Sequence, residues 1–162
     1  MGQDLRAVSQ SRRSWSWNPR RGYGCKRWGV AKAVSIIAVK VLSDEGPGKT
    51  SDIIAGINWA VAEVKRKGRP SVINMSLGAP ANDAIDRAVV KAVAAGVHVV
   101  VSAGNDNVNI NARNTRPARV PVAITVGETS ITDERWVSSK TSGSNFGKSV
   151  DIFAPGESRP LE

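Results

Sequence analysis

The stretch Val97–Asn107, V-H-V-V-V-S-A-G-N-D-N, holds the side chain best suited to chemistry. A short β-branched run stops at Ser102-Ala103-Gly104-Asn105. Such a run, bounded by Gly and Asn, reads as a buried parallel strand. In open α/β sheets, ligands meet the chain just beyond the carboxyl ends of strands. Asn105 therefore falls where reacting atoms would sit. Its amide N–H groups can donate to an oxygen that gains negative charge in a transition state. The competing role is an Asn that tolerates an unusual backbone turn.

Two other patterns suggest chemistry and fit it less well. Gly48-Lys49-Thr50 follows an expected strand and opens an expected helix, like the end of a phosphate-binding loop. The first glycine of such a loop falls at Ser43, and Asp44 and Glu45 would repel the phosphates. His98 is the single histidine, and a serine-nucleophile enzyme needs a base beside its nucleophile. It lies within the strand, where packing against the sheet is the expected role. Asn74-Met75-Ser76 has glycosylation spacing, but on an expected buried strand.

These residues need a scaffold, and the apolar periodicity outlines one. Val34–Leu42 is apolar and β-branched and reads as a buried strand. Ser43–Lys49 is a turn rich in Asp, Gly and Pro. Thr50 or Ser51 can cap a helix reaching about Lys67, with Ile53, Ile54, Ile57, Ala60, Val61 and Val64 on one face and Gly68 ending it. Ser71–Leu77 is the next strand. Asn82 or Asp83 caps a second helix carrying Ile85, Ala88, Val89, Ala92 and Val93, which Gly96 ends. Gly104–Val120 is a polar loop. Pro121–Gly127 and Ser149–Phe153 read as further short strands. The alternation implies right-handed β-α-β units: an α/β fold with a mainly parallel, doubly wound sheet and helices on both faces.

The 162 residues suit one domain, and 41% hydrophobic content can fill a core. The formal charge of +9 is unevenly spread. Residues 1–32 hold eight Lys or Arg against one Asp, a net of +7, and the remainder carries only +2. Residues 1–27 have no clean period, which favours disorder over a packed element. Cys25 is the only cysteine, which excludes an intrachain disulfide. No apolar run has transmembrane length, so no membrane partner is expected. The residues from Met1 show no apolar secretory core, and localisation is left open.

V-V-V-S-A-G-N-D-N also resembles the strand and loop that carry the oxyanion-hole Asn of subtilisin-like serine peptidases. Further stretches resemble that family in order. A-V-K-V-L-S-D-E-G-P-G-K-T (38–50) resembles the strand and turn beside the substrate cleft, and V-I-N-M-S-L-G-A (72–79) the substrate-binding strand. Pro117–Gly127 and S-G-S-N-F-G-K-S-V-D-I-F-A-P-G (142–156) complete the series. The resemblance covers about Trp28–Ser158, with residues 159–162 as a tail, and is nearest to the proteinase K-like fungal branch. It implies a partial subtilisin-like fold, because the complete domain is longer.

The resemblance assigns roles. Asn105 would be an oxyanion-hole donor. Gly46, Pro47 and Gly48 on one side, and Ser76, Leu77 and Gly78 on the other, would pair with an extended polypeptide substrate through main-chain groups. Ala103 and Gly104 would line the pocket for the residue before the scissile bond, and their small size would admit a large apolar side chain. Carbonyls of Pro121 and Ala123 and the Asp151 carboxylate would hold a structural calcium, a hard cation suited to oxygen. No cofactor is needed for the chemistry. The family has a plain strand residue at the position of His98, which removes it as the base. Intact members are mostly secreted or vacuolar.

The family's catalytic Asp, His and Ser have no readable counterpart in this sequence. The expectation is a piece of a serine endopeptidase that does not itself turn over substrate. Codons compatible with Trp15–Cys25, read one nucleotide out of frame, can spell G-H-G-T-H-V-A-G-T-V-A, which resembles the family's catalytic-His motif. Two noncatalytic alternatives stand beside this. One binds peptides at Ser76–Gly78. The other binds nucleic acid through the basic residues 1–32, a partner the near-neutral remainder does not favour.

Overall fold

The computed structural model describes residues 6–9, 31, 33–44, 48–79 and 82–156, with the backbone alone at 6–9, 112 and 113. Its strands are β1 (Arg6–Ser9), β2 (Ser35–Ala38), β3 (Ser71–Met75), β4 (His98–Ser102), β5 (Ile124–Thr129), β6 (Val137–Ser139), β7 (Ser142–Gly143) and β8 (Ile152–Pro155). Its helices are α1 (Thr50–Lys67), α2 (Asp83–Ala94) and the single turn α3 (Ile110–Arg113). Six strands form one sheet in the order β2-β1-β3-β4-β5-β8, all parallel, and β6 and β7 form a separate antiparallel pair. The expected α/β class and parallel sheet are therefore present. No described helix is long and apolar enough to cross a membrane.

The helical stripes bury as their spacing requires. Ile53, Ile57 and Ala60 of α1 and Ile85, Ala88, Val89 and Ala92 of α2 join Ile73, Met75, Val99 and Val101 of the sheet in one core. Each fully buried Val, Ile or Met side chain contributes about 1.5–3 kcal/mol. Helix α1 comes close to the segment after β2. A Cβ on Gly56 would lie 2.4 Å from Val41 Cγ1, so the approach needs glycine there.

The helix ends follow the caps with one change. Asn82 accepts from the Ala84 N–H (3.0 Å), and Gly68 ends α1 at φ 60° with its N–H donating to Val64 O (2.8 Å). Thr50 and Ser51 do not cap α1. The cap position is Lys49, without a side-chain hydrogen bond, and Thr50 Oγ1 instead accepts from Asn82 Nδ2 (3.1 Å).

Both long helices lie on the same face of the sheet. The reason is topological. The connections β2-α1-β3 and β3-α2-β4 advance in the same direction across the sheet, and right-handed crossovers then fall on one side. The connection that moves the other way, from β1 to β2, lies mostly outside the described residues. The second helical layer expected from the sequence is therefore not among the described helices. The opposite face carries half-buried Val72, Val100 and Val126 and exposed Ile124 and Ile152.

Some strand expectations change. β1 places Arg6–Ser9 in the sheet between β2 and β3, so those four residues are a strand where disorder was expected. Backbone pairing on both sides supplies the order that side-chain periodicity does not show. β5 begins at Ile124 rather than Pro121. Pro117–Ala123 is folded into successive turns, closed by Val120 N–H to Pro117 O (2.9 Å) and Ala123 N–H to Val120 O (3.0 Å). The β6–β7 pair was not expected, because Val137–Ser139 is exposed throughout and shows no alternation.

Candidate functional site

The register puts the carboxyl ends of β3 and β4 level. Met75 pairs with Val101, and Ser102 pairs with Val126 of β5. Just beyond this edge two hollows open. One, of about 460 Å³, is lined by Asn74, Ser76, Ser102, Gly104, Asn105 and Glu128 among others. The other, of about 780 Å³, lies between Ser76–Ala79 and Asn105, Asp106, Val108, Asn114 and Thr115. Ser76, Ser102, Gly104 and Asn105 border both.

Asn105 is exposed at this shared border. Its main-chain carbonyl accepts from Gly143 N–H (3.1 Å), while its side-chain amide makes no hydrogen bond among the described residues. The loop is thus fixed through its backbone rather than through the Asn105 amide. Ala103 is only 1% exposed, and its N–H donates to Val126 O (2.8 Å), which continues the sheet one residue past β4.

The loop after β4 is held from the far side by residues 135–146. Asn145 is 0% exposed. Its Nδ2 donates to Ala103 O (2.9 Å), and its Oδ1 accepts from Asp106 N–H and Val108 N–H (both 3.0 Å). Its own N–H donates to Gly104 O (2.8 Å). Gly104 has φ +94°, and a Cβ there would sit 2.6 Å from Asn145 Nδ2. Both the backbone angle and the close approach require glycine. Asn107, at φ 53°, donates to Ser139 O and Lys140 O and accepts from Arg135 Nη1 (2.7 Å). The Arg135 guanidinium lies 4.8 Å from the Phe146 ring centroid.

The second hollow has its own brace. Ala79 N–H donates to Arg116 O (2.9 Å), which ties the end of Ser76–Gly78 to the loop after α3. Arg116 reaches Asp86 on α2. Burial pushes the Asp86 carboxyl up, and the Arg116 charge opposes that shift only in part.

Of the residues expected at the site, Asn105, Gly104, Ala103, Ser76, Leu77 and Gly78 come together around the two hollows. Leu77 points into the core at 5% exposure, so it offers main chain rather than side chain. Gly46 and Pro47 lie outside the described residues. Gly48 lines neither hollow and packs against Val41 and Leu42. His98 is exposed at the start of β4, rather than packed against the sheet. Four residue steps along the strand, about 13 Å, separate it from Ser102.

At the proposed cation position, Asp151 and Thr125 exchange contacts. Thr125 N–H donates to Asp151 Oδ2 (2.7 Å), and Asp151 N–H donates to Thr125 O (2.9 Å). Pro121 and Ala123 lie in the turns that lead into β5, of which Thr125 is the second residue. The expected donors would all be oxygen, which suits a hard cation, and Asp151 would bring the only charge. Among the described residues no group of three or more His, Cys, Asp or Glu converges, so carbonyls and water would complete the shell.

Asn145, Asn107, Arg135 and Arg116 were not singled out from the sequence. The one signal was Asn145 standing between Gly143 and Gly147, a polar residue in a turn-rich segment.

A chain with this parallel α/β sheet matches a known class. The profile of the Subtilase family covers residues 16–161, and the chain belongs to that family. It is 48% identical to a subtilisin-like protease of Coccidioides posadasii over 136 residues, which is 83% of this chain and 32% of that protein. It is 48% identical to an extracellular serine proteinase of Thermus sp. over 135 residues, which is 83% of this chain and 30% of the relative. The crystal structure of a cold-adapted subtilisin-like serine proteinase superposes with TM-score 0.68 at 43% identity, covering 83% of this chain and 45% of that one. The chain thus spans about a third of the length of the curated relatives it matches.

Proposed function

We propose that this chain is the substrate-cleft and oxyanion portion of a subtilisin-like serine endopeptidase, and that these 162 residues alone do not hydrolyse peptide bonds. The exposed Asn105 amide at the border of two hollows carries the first part. A preorganised donor there would face the oxyanion of acyl transfer, a contribution of about 3 kcal/mol in a dry site. Ser76–Gly78 would bind an extended polypeptide through its main chain, and Ala103 and Gly104 would floor the pocket for a large apolar side chain. The second part rests on the sequence. No Asp-His-Ser constellation accompanies Asn105, and the only histidine stands at the wrong end of β4. Binding and an oxyanion donor without the triad leave about 10³–10⁴-fold over water.

A fluorogenic peptide assay of the purified chain tests this reading. No turnover is expected. Turnover abolished by a serine-directed inhibitor would overturn it. The frame of residues 15–25 is a linked proposal, tested by sequencing the native transcript. A shifted frame spelling G-H-G-T-H is expected, and a transcript matching the chain as written would refute it. Pro121, Ala123 and Asp151 would hold a calcium ion that supports the fold and takes no part in the chemistry.

A further inference from the structure

We infer that Asn145 is a positioning residue for the cleft, which sets the direction of the Asn105 amide by holding the backbone on both sides of it. The inference rests on the reading of Asn105 given above. Asn145 uses its amide as a two-ended clamp. Nδ2 takes the carbonyl of Ala103, before Asn105, and Oδ1 takes the N–H groups of Asp106 and Val108, after it. The backbone of Asn145 holds Gly104 O as well. Among the described residues Asn105 itself is anchored only through its own carbonyl, to Gly143.

This pattern needs an amide. One end must donate and the other must accept twice, in a site with no solvent to correct a mismatch, since Asn145 is 0% exposed. A hydroxyl is too short to span both sides. A carboxylate has the right shape but turns an oxygen toward Ala103 O, where two acceptors would repel. A protonated carboxyl restores the donor. The residue is therefore specified by chemistry rather than by volume, and Asn145→Asp should behave as a pH-dependent variant.

Amide hydrogen exchange on the whole ¹⁵N-labelled chain tests this. In Asn145→Ala, Asp106 and Val108 should exchange roughly ten- to a hundredfold faster, while Val99 and Val101 in β4 keep their protection. The Asn105 side-chain N–H₂ signals should move or broaden. In Asn145→Asp the Oδ1 end still accepts, so Asp106 and Val108 should keep their protection, while the Asn105 side-chain N–H₂ signals should be displaced at pH 8, where the other oxygen repels Ala103 O, and return toward the wild-type positions as pH falls and the buried carboxyl takes its proton. Unchanged exchange at Asp106 and Val108 in a folded Asn145→Ala would overturn the inference. If that variant does not fold, Asn145→Asp decides, and pH-independent Asn105 side-chain signals there overturn it. Titration with the blocked peptide Ala-Ala-Ala-Phe-amide separates the two readings. Absence of peptide shifts in the wild type counts against the cleft, whereas the exchange pattern tests Asn145 regardless.

Discussion

Arg116 Nη1 lies 2.7 Å from Asp86 Oδ2, with the two side chains 15% and 17% exposed. This pair braces the loop whose Arg116 backbone holds Ala79. It is incompletely satisfied, since Asp86 Oδ1 and Arg116 Nε have no hydrogen-bond partner among the described residues. Removing the guanidinium leaves a mostly buried carboxylate without its ion-pair partner, with only the more weakly acting Arg119 and Arg87 to offset its charge. Arg116→Ala is expected to cost about 2 kcal/mol in urea denaturation.

The same carboxyl gives a pH signature. Burial raises the Asp86 pKa above its ordinary 3.8, so the folded chain holds that proton more tightly than the unfolded chain. The contribution to stability is full below 3.8 and is lost as pH rises through the raised value. Asp86→Asn should remove this decline. Melting temperature against pH, compared between wild type and variant, checks it, and parallel curves would contradict it.

Glu63 should behave in the opposite sense. Hydrogen bonds from Arg66 and Lys67 lower its pKa from 4.5 to about 2. Stability from this group is present above 4.5 and is lost as pH falls toward about 2. Glu63→Gln should melt slightly below wild type near neutrality, and the two should converge across that window. Curves that stay apart at the lowest pH would count against the ion pairs.

Gly104 and Gly96 make a matched test of crowding. Both have positive φ, +94° and +83°, but only Gly104 faces a neighbour, while Gly96 has nothing within 4 Å. Gly96→Ala should cost about 1 kcal/mol through the backbone alone. Gly104→Ala should cost about 2–4 kcal/mol, because Asn145 must also move. Equal denaturation midpoints would show that the contact is slack.

The calcium proposal is checked by scanning calorimetry with and without the ion. Ion at a hundred times its dissociation constant should add about 2.7 kcal/mol of stability to the wild type. Asp151→Asn keeps an acceptor for Thr125 N–H and removes the charge. It should melt like the metal-free wild type and show no calcium shift.

The open sheet face should be sticky. Ile124 and Ile152 are 41% and 55% exposed beside Val100 and Val126. Concentration-dependent sedimentation is expected, reduced in Ile152→Lys. A monomer that melts sharply at every concentration would contradict this.

Legibility in the sequence followed the physics of each element. The helices α1 and α2 were plain, because a 3.6-residue apolar stripe and a capping Asn82 are local signals. The edge holding Asn105 was also plain, since a β-branched run ending in Ala-Gly-Asn marks a strand terminus. What holds that edge was not. Asn145, Arg135 and Arg116 act on partners far away in the chain through polar contacts, and no periodicity reports such contacts. β1 was missed because parallel pairing by backbone leaves no side-chain signature in four residues.

The clamp around Asn145 joins positions 37 to 42 residues apart, whereas β3 and β4, on either side of α2, pair between positions 26 apart, as Val72 does with His98. Contacts that span more chain must overcome a larger loss of freedom before they form. The part of the core held between β3, α2 and β4 can therefore assemble while the cleft is still shapeless. During synthesis the carboxyl edge of β4 would acquire its final form only after Asn145 has left the ribosome. A nascent chain stopped before that point would have a core but no site.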